Sequence, residues 1–156
     1  MRAFLLLGLA ALLALPSAGA IDAHTFLASG NMQITESADG RTTTSDATVV
    51  ILLQGWVDNG YLLRMAGTHP CACGAPTPVN SNNQFSASEG SPETGWHRSA
   101  PSTDASGCAG PRTVDIGPLG PATRYHETYV AACPDGSTFT LTYDATLAFT
   151  GGGTRI

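Results

Sequence analysis

The stretch THPCACG at residues 68–74 brings one histidine and two cysteines close together. Thiolate and imidazole groups are soft ligands, so His69, Cys71 and Cys73 with a more distant cysteine would suit Cu(I) or Zn. However, the C-x-C spacing lacks the C-x-x-C pairs of structural zinc sites. In an exported chain, four cysteines favour two disulfides, and we predict no metal and no cofactor. The four are Cys71, Cys73, Cys108 and Cys133.

Strand geometry suggests how these cysteines pair. Side chains two residues apart in an extended chain point to the same side. Cys71 and Cys73 therefore reach different distant partners more easily than each other. We predict that each of them bonds to Cys108 or to Cys133. A strained redox bridge between Cys71 and Cys73 is the alternative.

A histidine and a carboxylate meet in the predicted pairing of the last two long strands. His126 lies opposite Asp144, with Arg124 diagonal to the carboxylate. An imidazole beside a carboxylate can act as a general acid or base, which would suit a small hydrolase. A surface ion pair across two strands looks the same and is commoner, so we assign no catalytic residue. The enzyme alternative has three further candidate groups: His97, Glu93 and Asp104.

Trp96 and His97 are the candidate ligand-binding residues. They lie in the proline-rich segment 69–121, and recognition residues concentrate in loops that a rigid sheet presents. Tryptophan is also enriched among the residues that contribute most to binding energy. The alternative is that Trp96 fills one end of the hydrophobic core.

The first twenty residues have the pattern of a secretory signal peptide. Arg2 precedes an apolar run from Ala3 to Leu15, and small residues follow up to Ala20. This run is shorter than the roughly 20 residues that cross a bilayer. We therefore expect cleavage of residues 1–20 and a secreted, extracellular or periplasmic chain. Residues 21–156 are expected to form one domain.

The composition excludes two classes of partner. Only 12% of the residues are charged, lysine does not occur, and the formal net charge is -5. Nucleic acids and anionic membranes bind surfaces with clustered lysine and arginine. We therefore predict neither nucleic-acid binding nor membrane insertion after the signal peptide is removed.

Alternating apolar and polar residues at positions 26–35 predict a strand with one buried face. Asp39-Gly40 then predicts a two-residue hairpin turn, because both central positions of such a turn need a positive φ. In this register Phe26 lies opposite Leu53, and the apolar faces of both strands coincide.

Two further turns predict hairpins. The stretch DNG after the second strand predicts a three-residue turn, which places Gly55 opposite Leu63. The stretch PDG at residues 134–136 predicts a turn that places residues 127–131 against residues 139–143. In both hairpins the apolar side chains meet on one face.

The whole pattern predicts an all-β chain, since helical periodicity is nearly absent. A meander, the Pro/Gly-rich segment 69–121 and a final hairpin predict a small disulfide-stabilised β-sandwich of immunoglobulin-like or other Greek-key kind. The segment must contain short strands, around Phe85 and around Val114, because a structureless loop of that length is unusual. Gly151–Gly153 are expected to form a flexible tail.

These observations favour an exported non-enzymatic module with a binding or structural role outside the cell. Its ligand would be a protein or a carbohydrate. One alternative is a small extracellular hydrolase that uses a histidine and a carboxylate. A Cys/His metal-binding protein is the other alternative.

Overall fold

A computed structural model describes residues 24–55, 58, 60–69 and 77–153. Ten strands and no helix occur there: β1 (His24–Ala38), β2 (Arg41–Gly55), β3 (Tyr61–His69), β4 (Thr77–Phe85), β5 (Gly90–Ser91), β6 (Gly95–Thr103), β7 (Ala109–Ile116), β8 (Thr123–Ala132), β9 (Thr138–Leu147) and β10 (Thr150–Gly153). The prediction of an all-β chain is confirmed. In this part of the chain, no helix has the length and hydrophobicity to span a membrane. The predicted signal peptide lies outside the described residues.

A single antiparallel sheet contains all ten strands. Their order is β4-β3-β2-β1-β9-β8-β7-β6-β5, with β10 paired to β1. The predicted β-sandwich is not confirmed, because β1 joins the two halves of the chain. It pairs with β2 along one edge and with β9 and β10 along the other. The N-terminal meander and the C-terminal hairpin therefore belong to the same curled sheet, a half-barrel.

The curl brings the inner faces of distant strands into contact. Ser81 on β4 donates a hydrogen bond to the carboxylate of Glu127 on β8, although four strands lie between them in the sheet order. Trp96 on β6 meets Tyr61 on β3, with 5.1 Å between the ring centroids. The hydrophobic core therefore lies inside the curl, and the other face of the sheet is exposed to solvent.

The first and last hairpins form in the predicted register. The Asp39-Gly40 turn has positive φ angles of 50° and 73°, as a two-residue hairpin turn requires. Phe26 pairs with Leu53 in the first hairpin, and Tyr129 pairs with Leu141 in the last. Turn chemistry and matching apolar faces were sufficient to predict both.

The predicted register of β2 and β3 is wrong by two residues. Gly55 pairs with Tyr61 rather than with Leu63, so five residues separate the strands instead of three. Asp58 takes a left-handed conformation with φ of 57°. The predicted turn has that conformation at Gly60 instead. Because two residues are one side-chain period, every side chain keeps its predicted face. Leu63 is accordingly buried.

The prediction of a flexible glycine tail is wrong for residues 151–153. These residues belong to β10, and Gly151 pairs with Phe26 on β1. A Cβ atom at Gly151 would lie 2.7 Å from carbons of the Phe26 ring. Glycine therefore allows the backbone of β10 to approach this ring closely.

The long middle segment contains β4 to β7, and the strands predicted around Phe85 and Val114 are β4 and β7. Within the described residues, a disulfide joins Cys108 in this segment to Cys133 in the last hairpin. Cys108 precedes β7 and Cys133 follows β8, so they are cross-strand neighbours with Cα atoms 3.9 Å apart. The predicted pairing of Cys71 and Cys73 with these two residues is therefore wrong. Cys71 and Cys73 lie outside the described residues. The bond is compatible with an oxidising compartment.

Candidate functional site

A groove on the outer face of the sheet brings imidazole and charged side chains together. We call it the outer groove. Its volume is about 620 Å³, which falls in the range of roughly 300–1,000 Å³ that small ligands occupy. Strands β6, β7 and β8 and the segment before β5 form its walls. The lining includes Glu89, Trp96, His97, Asp115, Arg124 and His126.

Strand pairing places imidazole and carboxylate groups alternately in one row across β6 to β9. His97 lies opposite Asp115, Asp115 opposite His126, and His126 opposite Asp144. The Nδ1 atom of His97 is 2.6 Å from Oδ1 of Asp115. The Nδ1 atom of His126 is 2.7 Å from Oδ1 of Asp144. The predicted His126–Asp144 pair is confirmed. Asp115 is the partner of His97, and the sequence did not reveal this second pair.

The second nitrogen of His126 also has a partner. Its Nε2 atom lies 3.0 Å from the Oγ1 atom of Thr128, two residues along the same strand. Arg124, at 3.8 Å from Asp144, completes the predicted cluster. Asp144, His126 and Thr128 thus form a carboxylate–imidazole–hydroxyl series, the order found in nucleophile triads.

The rim of the outer groove is held by Glu89. Its Oε2 atom accepts hydrogen bonds from the backbone N and the Oγ of Ser86, at 2.6 and 2.9 Å. Arg98 lies 3.5 Å from its Oε1 atom, and the N–H of His97 donates to its backbone oxygen. Burial opposes ionisation, but the Ser86 hydrogen bonds and Arg98 outweigh it, so the pKa of Glu89 is lowered. The turn at the rim is therefore ordered, and the Glu89 carboxyl in it is ionised.

The two candidate ligand residues have opposite exposures. Trp96 is only 3% exposed and packs against Tyr61 and Phe85. Its Nε1 atom has no hydrogen-bond partner within the described residues. His97 points outward, with 67% of its side chain exposed. The buried position of Trp96 agrees with the alternative prediction that it fills one end of the hydrophobic core. Ligand binding by Trp96 and His97 stays a prediction.

The other proposed acidic partners lie elsewhere. Asp104 accepts hydrogen bonds from the backbone N–H groups of Ser106 and Cys108, so it stabilises the turn before β7. Glu93 accepts a hydrogen bond from Ser91 and does not line the outer groove. Asp104 does not line it either, so neither carboxylate shares the outer groove with His97 and His126.

A buried polar cluster on the inner face was not predicted as a site. We call it the Glu127 cluster. Glu127 is 1% exposed and accepts hydrogen bonds from the hydroxyls of Ser81 and Tyr125. Arg112 forms an ion pair with it, with Nε 3.4 Å from Oε1. The sequence signal was a carboxylate on the inward face of a strand, between Tyr125 and Tyr129.

Tyrosine ionisation is suppressed around this cluster. Burial, reinforced by the negative charge of Glu127, raises the pKa of Tyr125 well above its ordinary value. The same two causes raise the pKa of Tyr143. Both phenols therefore remain protonated in the folded chain at pH values where an unfolded chain has lost these protons.

We expect the free energy of unfolding to fall as the pH rises above 10, the ordinary pKa of tyrosine. The unfolded chain then loses the Tyr125 proton first, so stability is complete below pH 10 and is lost above it. The slope for this residue should approach about 1.4 kcal/mol per pH unit. Urea unfolding at several pH values measures it. Tyr125→Phe should flatten the slope, and an unchanged slope would contradict the assignment.

Within the described residues, no three histidine, cysteine, aspartate or glutamate side chains are arranged to hold a metal ion. The metal alternative involving Cys71 and Cys73 lies outside them. No family model, curated protein or solved structure matches the chain.

Proposed function

We propose that this chain is an exported, non-enzymatic binding module that holds a carbohydrate ligand in the outer groove. The observation that carries the proposal is the mixture of hydrogen-bonding groups in one concave site. Carboxylates of Glu89 and Asp115 accept hydrogen bonds, Arg124 donates them, and the imidazole of His97 can do either. Sugar hydroxyls both donate and accept, so each can be matched there.

The shape of the site favours a carbohydrate over a protein. A stable protein interface is an extended surface of about 800 Å² on each partner, whereas small ligands bind in concave sites of roughly 300–1,000 Å³. The outer groove is concave and has a volume of about 620 Å³. Both carboxylates in it already have partners in the fold, Asp115 the imidazole of His97 and Glu89 the guanidinium of Arg98. An uncharged ligand therefore suits it. Export is supported by the signal-peptide pattern in residues 1–20 and by the disulfide.

Binding of defined oligosaccharides tests this proposal. We expect a screen of immobilised glycans to find a ligand, and calorimetry to show about tenfold weaker binding for His97→Ala and for Arg124→Ala. Arg41→Ala is the matched control, because Arg41 is exposed beside the first hairpin turn and its loss changes the net charge equally. Its affinity should equal that of the unchanged protein.

Two results would overturn the carbohydrate proposal. One is glycan binding that His97→Ala and Arg124→Ala leave unchanged, since the ligand would then lie elsewhere. The other is failure of every glycan together with capture of a protein whose binding these substitutions abolish. That result would assign the outer groove to a protein ligand.

A second candidate function is ester hydrolysis by Asp144, His126 and Thr128. The observation that favours it is their hydrogen-bonded order, with 2.7 and 3.0 Å between successive partners. It ranks second because β8 is paired on both sides, by β7 and β9. The N–H groups near Thr128 are therefore committed to the sheet, whereas acyl transfer needs donors aimed at an oxyanion.

The hydrolysis of p-nitrophenyl acetate separates the two functions. A hydrolase would lose activity in both His126→Ala and Thr128→Val and would keep it in His97→Ala. Under the binding proposal, all four proteins hydrolyse the ester at the rate of free imidazole. Activity that depends on His126 and Thr128 would make the chain an enzyme.

A further inference from the structure

A second concavity on the outer face of the sheet adjoins the outer groove. We call it the second groove. Its volume is about 350 Å³. Most of its lining is polar and comes from Asn31, Gln33, Asp46, Arg124, Asp144 and Thr146. Arg124 lines both grooves, so the two concavities meet at its side chain.

Strand pairing joins the two grooves through one row of polar side chains, which we call the polar track. Its members, from β6 to β2, are His97, Asp115, His126, Asp144, Gln33 and Asp46. Each member lies directly opposite the next, and such partners carry their side chains on the same face of the sheet. Neighbouring strands are about 4.8 Å apart, so the track is about 24 Å long.

A row of hydroxyl groups runs beside the polar track, two residues away on each strand. Its members, in the same strand order, are Ser99, Thr113, Thr128, Thr142, Thr35 and Thr44. The Oγ atom of Ser99 is 3.1 Å from Oγ1 of Thr113, and Thr128 contacts His126 of the track. Every side chain in the two rows can donate or accept a hydrogen bond. The outer face therefore presents a polar strip across six strands.

The polar track is accessible at both ends and in the middle. His97 at one end has 67% of its side chain exposed, and Gln33 and Asp46 at the other end are exposed. Even His126, which contacts both Asp144 and Thr128, is 31% exposed. A ligand can therefore touch the track along its whole length.

We propose that the ligand is a linear, uncharged oligosaccharide that lies across the strands, along the polar track, from the outer groove to the second groove. This inference rests on the proposed binding function and adds the form of the ligand. A chain of sugars repeats hydroxyl groups along its length, and the two rows offer a hydrogen-bonding partner at each strand. A single sugar in the outer groove would leave Gln33 and Asp46 without a role.

Two other kinds of linear chain suit the polar track less well. Asp115, Asp144 and Asp46 supply three carboxylates and Arg124 only one guanidinium, so an acidic polysaccharide would meet an excess of like charge. An extended peptide binds a sheet by adding a strand at a free edge. Strands β7, β8, β9 and β1 each have neighbours on both sides, so the middle of the track offers no such edge.

The dependence of affinity on chain length tests the proposal. We expect calorimetry with malto-, cello- and chito-oligosaccharides to find one series whose hexamer binds about tenfold more tightly than its dimer. An oligogalacturonate hexamer should bind more weakly than the neutral hexamer. Equal affinity of dimer and hexamer would overturn the inference and leave the carbohydrate proposal intact. Failure of all three series would also overturn it, and the proposed function would then survive only if the glycan screen found another ligand.

Two substitutions at the far end of the polar track locate the chain. Gln33→Ala and Asp46→Asn should each weaken hexamer binding about threefold to tenfold and leave dimer binding unchanged. Gln84→Ala and Asp39→Asn are the matched controls, because they change the same residue types at exposed positions outside both grooves. His97→Ala should weaken both dimer and hexamer.

Two outcomes with these variants would overturn the inference. Hexamer binding that both Gln33→Ala and Asp46→Asn leave unchanged would confine the ligand to the outer groove. The proposed function would still stand if His97→Ala weakened that binding. Capture of a protein whose binding Gln33→Ala and Asp46→Asn abolish would assign the polar track to a protein partner.

Discussion

Replacing Glu127 with alanine is expected to lower the free energy of unfolding by about 3–5 kcal/mol. The substitution leaves Arg112 without its counter-charge and the buried hydroxyls of Ser81 and Tyr125 without their acceptor. It also removes the contact that joins the inner faces of β4 and β8. Urea unfolding followed by circular dichroism measures the change.

Two further variants show which property of Glu127 matters. Glu127→Gln keeps an acceptor of similar shape but removes the charge, so it should cost less, about 1–2 kcal/mol. Adding Ser81→Ala to Glu127→Ala should cost less than the sum of the two single changes, because these residues share one hydrogen bond. Two results would contradict a stabilising role of the Glu127 cluster between β4 and β8. One is additive effects of the two substitutions, and the other is a decrease in the free energy of unfolding below about 1 kcal/mol for Glu127→Ala.

Replacing Trp96 with alanine is expected to destabilise the fold by about 3–5 kcal/mol. Its indole is buried and packs against Tyr61 and Phe85, so the substitution leaves a cavity between β3, β4 and β6. The midpoint of urea unfolding should fall while the dependence of the free energy on urea concentration stays the same.

Val130→Ala is the control for Trp96→Ala. Val130 lies on the outer face and is 45% exposed, so its truncation should change stability by less than about 0.5 kcal/mol. Trp96→Ala with an unchanged unfolding midpoint would contradict the core position of the indole. If glycan binding were lost as well, the two results together would indicate that Trp96 contacts the glycan at the protein surface.

The sequence by itself determined what depends on neighbouring residues. The Asp39-Gly40 turn and the turn at residues 134–136 each set the register of the strands beside them, because a short turn leaves one pairing that also matches apolar faces. The His126–Asp144 pair follows directly from the second register. The β2–β3 register was two residues off because the turn allowed another length, and the faces were still correct.

Only the tertiary structure decided what depends on strands far apart in sequence. The pairing of β1 with β9 makes one sheet out of two predicted units, and no short turn connects these strands. Strands β7 and β8 are adjacent in the chain, but no turn signal predicted their register. Their pairing places Asp115 opposite His126, with His97 of β6 on its other side, and it brings Cys108 to Cys133. The curl of the sheet then brings Ser81 on β4 within hydrogen-bonding distance of Glu127 on β8. Alternation along a strand tells which face a side chain occupies, but not which distant strand that face meets.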